Sequence, residues 1–134
     1  MLYSARDSIP GGETYPKPDA LMQSAVGPIT VKLTGHSDQA AELAEFYAAA
    51  ADTIRRDAAG AGVLGSKHDL REFLQKATTI RFQGAFGQIP GLSDSIYGSN
   101  GALAKLLGLD AGQLDHARAA AALDAVAWAC AEAS

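Results

Sequence analysis

The densest group of chemically capable side chains lies between Arg55 and Arg81. Arg55, Arg56, Lys67, Arg71, Lys76 and Arg81 stand there against only Asp57, Asp69 and Glu72, inside a chain of net charge -4. His68 follows Lys67. The same stretch contains Gly60-Ala61-Gly62-Val63-Leu64-Gly65-Ser66-Lys67, which satisfies G-x-G-x-x-G and nearly satisfies G-x-x-x-x-G-K-[ST], with the last two residues exchanged. Both phosphate fingerprints need a strand feeding the loop. Here a helical pattern feeds it, and Gly60 reads as a helix stop. What survives is a less specific anion site at the start of the following helix. Arg55, Arg56, Lys67, His68, Arg71 and Arg81 would form a basic cup for a small anion or a nucleotide. Against it stands a solvated surface with i,i+4 pairs such as Glu72–Lys76.

Other chemistries find less support. His36, His68 and His116 are never at metal-ligand spacing, and the one cysteine, Cys130, excludes an intramolecular disulfide and a multi-cysteine zinc site. Cys130 falls near the end of a helical pattern, where the dipole disfavours a thiolate. Ser93, Ser95 and Ser99 lack the G-x-S-x-G elbow of a serine nucleophile. No catalytic residue, metal or cofactor is expected from these patterns. The glycine-punctuated stretch 84–101 carries Phe86, Ile89, Leu92, Ile96 and Tyr97, too apolar for a freely solvated loop. It reads either as a cover over the core or as a protein-binding surface, with Phe86, Ile89, Leu92 and Tyr97 as anchors.

Residues 102–118 resemble the DNA-binding helix-turn-helix pattern through Ala104, Gly108 and Leu114. Residues 101–134, however, hold Lys105 and Arg118 against Asp110, Asp115, Asp124 and Glu132, a balance that repels phosphate. An ordinary capped corner between two helices explains the same residues, and nucleic acid is disfavoured as a partner.

The elements that must position these groups are mostly helices. Two runs of four alanines, Ala48–Ala51 and Ala119–Ala122, each lie in a long helical pattern. Alanine favours helix because it loses no side-chain entropy, and it lets a neighbouring helix approach closely. The first long helix is expected from about Asp38 to Ala59, capped by Ser37 or Asp38, with Leu43, Phe46, Tyr47, Ala50 and Ile54 facing the core. His36 is expected to support that cap. A second helix is expected from Ser66 to about Ala77, a short one over Ala102–Leu107, and a last one from about Ala111 to Ala131. Asp110 would cap that last helix, with Gln113 closing a capping box and Leu109 stapling to Leu114.

Alternation predicts two short strands, Ile29–Thr34 and Thr78–Gln83. Residues 1–28 hold four of the five prolines and the pair Gly11-Gly12, and read as an extended arm, with one helical turn at Asp19–Gln23. The expected fold is therefore mainly α: about four helices, with room for a short two-stranded β-ribbon. Residues 29–134 would form a single helical domain behind the arm.

Aromatic residues make up only 7% of the chain although its apolar fraction is 48%, so the expected core is thin and alanine-packed. No apolar run reaches the length of about 18 residues that a membrane helix needs. These features point to a small, soluble, cytoplasmic protein of bacterial or phage origin. Its expected role is non-catalytic interaction, as an adaptor, an inhibitor or immunity-type factor, or an assembly component. Self-association, with a dimer as the simplest form, is expected from the flat alanine face.

Overall fold

The computed structural model describes residues 15–58, 89–107 and 115–134. Within them lie five α-helices: α1 (Ala20–Leu33), α2 (Ser37–Arg56), α3 (Leu92–Tyr97), α4 (Ala102–Leu107) and α5 (His116–Ala133). The protein is mainly α, and no strand occurs among the described residues. The second expected strand, Thr78–Gln83, and the helix expected from Ser66 to Ala77 lie outside them.

The axis of the structure is α5. Between Ala119 and Ala131 only Ala121 and Trp128 escape burial, and even Asp124 is only 8% exposed. A helix apolar on all sides belongs in the centre. The most extensive helix pairing is α2 against α5, followed by α1 against α5, while α1 and α2 barely touch beyond their connecting turn. Arg55 reaches Asp124 and Asp57 reaches His116, so α2 runs antiparallel to α5. In contrast α1 runs parallel to it: Leu21 lines a cleft with Ala121, and further along Thr30 Oγ1 donates to the Ala129 carbonyl at 2.9 Å.

Helix α2 realises its apolar periodicity. Leu43, Ala44, Tyr47, Ala50, Ala51 and Ile54 are buried, and Phe46 sits half-buried with its ring edge-on to Tyr47. The helix begins at Ser37, so the N-cap position is His36, whose side chain makes no capping bond. The connection from α1 turns at Gly35, which takes φ 89°. That left-handed conformation is open to glycine without the Cβ penalty other residues carry.

Helix α1 corrects the first strand. It begins at Ala20, inside the stretch read as an arm, and continues through Ile29–Leu33. The Asp19 carboxylate caps it by accepting from the Met22 amide at 2.8 Å. Val26, Ile29 and Leu33 are buried at helical spacing, whereas Val31 points outward, so the apparent alternation is the short-range shadow of a 3.6-residue period. Pro28 lies inside the helix. It lacks the amide that would bond the Ser24 carbonyl, and Ser24 is exposed, where water can take that role.

Two further corrections concern the C-terminal half. The last helix starts at His116 rather than near Ala111, because its cap is Asp115, whose carboxylate accepts from the Arg118 amide at 2.8 Å. Part of the glycine-rich stretch is the helix α3, whose Leu92 and Ile96 enter the core. Its glycines have a packing role: a Cβ on Gly98 would lie 2.6 Å from the Asp94 carbonyl oxygen.

Candidate functional site

The site is built on the side of α1 turned away from the core. Leu21 is 81% exposed and Val31 71% exposed. They lie ten residues apart on one helix, roughly 15 Å along its axis. Isolated exposed apolar residues are ordinary. Here Leu21 lines the first of two clefts that share Ala25, and Val31 lies further along the same helix.

The first cleft, of about 570 Å³, opens between α1, α4 and α5. Its apolar wall comes from Leu21, Met22 and Ala25 of α1, Leu106 of α4 and Ala121 of α5. Lys105 and Arg118 supply two cations from the other two helices, and Ser24 adds a hydroxyl. Local rules place each of these groups. Asp115 fixes the first turn of α5 and hence where Arg118 emerges. Leu103 is buried, which turns Lys105, two residues on, toward solvent. Among the described residues neither Lys105 nor Arg118 makes an ion pair, and Arg118 only approaches the Leu106 carbonyl at 3.5 Å. The second cleft, of about 440 Å³, continues past Ala25 and Pro28 to Asp94, Ser95, Ser99 and Asn100, and is polar.

An apolar wall with two cations suits an apolar group that carries negative charge. No cluster of three or more His, Cys, Asp or Glu side chains able to hold a metal occurs among the described residues. Burial pushes the Cys130 thiol well above its ordinary range. Burial, helped by Glu45 and then Cys130, likewise raises the Tyr15 phenol.

Only part of the sites expected from sequence falls on described residues. Of the basic cup, Arg55 and Arg56 are described and both pair within their own chain, Arg55 with buried Asp124 and Arg56 with Asp52 at 3.2 Å. Lys67, His68, Arg71 and Arg81 lie outside the described residues, as does Phe86. The other residues expected as anchors in the glycine-rich stretch pack against the chain's own residues. Ile89 and Leu92 are buried, and the Tyr97 hydroxyl bonds that of Tyr47 at 2.8 Å. His116 meets Asp57 at 2.8 Å. Sequence reasoning missed Leu21, Val31, Lys105 and Arg118. The available signal was Asp19, a helix cap followed by Leu21, Val26, Ile29 and Leu33.

Comparison of the chain with protein-family models, curated proteins and solved structures gives no match. No helix of the described residues is long and apolar enough to cross a membrane.

Proposed function

We propose that this chain is a small non-catalytic interaction protein, an adaptor, inhibitor or assembly component, that receives its partner on the outer side of α1. The observation that carries this reading is the cleft lined by exposed Leu21, with its apolar wall and two cations, together with a second exposed apolar residue, Val31, further along the same helix. Exposed apolar surface rimmed by polar groups is the usual mark of a contact surface. Interfaces of this kind have an apolar centre and charges at the edge that select the partner by complementarity. The chemistry favours a partner segment that is both acidic and apolar.

The test is photo-crosslinking in the cells that produce the protein. A benzophenone side chain is placed at position 21 or 31, and at exposed position 58, just past the end of α2, as a control. Discrete adducts from 21 and 31, absent from 58, are the expected result. Positions 21 and 31 giving no adduct beyond the control would overturn the reading.

A further inference from the structure

The outer side of α2 offers the complement that the cleft lacks. Asp38, Glu42, Glu45, Ala49 and Asp52 are all exposed, at spacings of four, three, four and three residues, which places them in one ridge along the helix. Asp52 is paired with Arg56, and Glu45 lies near the Tyr15 phenol. Asp38 and Glu42 make no ion pair among the described residues. Ala49 leaves the middle of the ridge low enough for an apolar neighbour to approach.

Within one chain this ridge cannot reach the cleft. Both α1 and α2 pack on α5 yet scarcely touch each other, and each turns its exposed side away from that shared helix. We infer that the cleft between α1, α4 and α5 of one copy receives the α2 ridge of a second copy, with Glu42 and Glu45 set against Lys105 and Arg118 and Ala49 near Leu21. The inference rests on the interaction reading above and names its partner. Because donor ridge and acceptor cleft are different surfaces, the contact is head-to-tail and the resulting pair still presents one free ridge and one free cleft. Assembly then grows with concentration. Salt weakens it, since exposed charge pairs are screened over a Debye length of about 10 Å at 0.1 M.

Sedimentation velocity on the full chain tests this with reciprocal charge reversals. One variant carries Glu42→Lys and Glu45→Lys; the other carries Lys105→Glu and Arg118→Glu. Thermal melts confirm that both remain folded. The wild type is expected to gain mass with concentration at low salt and to lose it in 0.5 M salt. Each variant alone is expected to associate at least about tenfold more weakly. An equimolar mixture should recover association, because each reversed ridge then meets a reversed cleft. A wild type that stays monomeric throughout, or a mixture no more associated than its components, would overturn the inference. In that event, crosslinks from position 21 to a different protein would leave the interaction reading standing, and the absence of any adduct there would end both.

Discussion

The two seams along α5 are made differently. On the α2 side, alanines and large apolar residues interlock, and two cross-ties, Arg55–Asp124 and Asp57–His116, fix the register. On the α1 side Val26, Ile29 and Leu33 are buried and the Thr30 hydroxyl bonds the Ala129 carbonyl, while a cleft opens where Leu21 and Ala25 face Ala121. The first arrangement spends its surface on holding the molecule together. The second leaves apolar area and cation charge uncommitted. Along the central helix, the α2 seam is thus closed and the α1 seam partly open.

Substitutions of matched chemistry on the two sides separate these roles. Leu43 is fully buried on α2, so Leu43→Ala should lower unfolding free energy by about 2–5 kcal/mol in a denaturant titration. Leu21→Ala, on the open face of α1, should stay within about 0.5 kcal/mol. Equal losses at the two positions would erase the distinction.

The cross-tie comes next. Arg55→Ala strands a buried carboxylate at Asp124 and should cost about 2–3 kcal/mol, less than the roughly 3–5 of a fully enclosed pair because Arg55 is 52% exposed. Asp124→Leu removes the charge itself and should cost less than Arg55→Ala in the same assay. The reverse order would mean that Asp124 is not held by Arg55 in the folded protein.

Alkaline titration probes the interior of α5. The Cys130 thiol and Tyr15 phenol both have folded pKa values above their ordinary 9.0 and 10.0. Above about pH 9 the unfolded chain therefore gives up protons that the folded chain keeps, and stability falls as pH rises. Each group contributes at most about 1.4 kcal/mol per pH unit, and below pH 9 the effect is absent. Cys130→Ala should remove the part that starts near pH 9 and leave a reduced part that starts near 10, because Cys130 adds to the shift at Tyr15. A modest effect is expected at the α1 cap: Asp19→Ala should cost about 1 kcal/mol, read as a lower melting temperature.

The helical class, α2 and the span of α4 were legible because their signals are local. The buried stripe Leu43, Tyr47, Ala50 and Ile54 repeats for several turns, and no proline interrupts it. Helix α1 was hidden by a conflict of local signs. Pro28 argues against a helix interior, and Ile29, Val31 and Leu33 imitate a strand, yet packing Val26, Ile29 and Leu33 onto α5 outweighs both. Asp115 caps α5 by a bond from the Arg118 amide that its residue type alone does not announce, while Asp110 and Gln113, expected as a capping box, lie outside the described residues. The candidate site was illegible for a different reason. Lys105, Arg118 and Leu21 belong to three helices, and nothing in their sequence spacing brings them together.

The central helix is also the last of the described elements in chain order. During synthesis α1 and α2 therefore emerge before the surface that buries them, with the apolar stripes of Leu33, Leu43 and Tyr47 still uncovered. The bond from Thr30 to Ala129 spans 99 residues, and the two seams depend on contacts of similar reach. Such long-range closure slows folding and lengthens the time that apolar surface stays exposed. A nascent chain of this protein is thus committed to wait for α5, and a binder of exposed apolar segments would hold α1 and α2 most strongly during that interval.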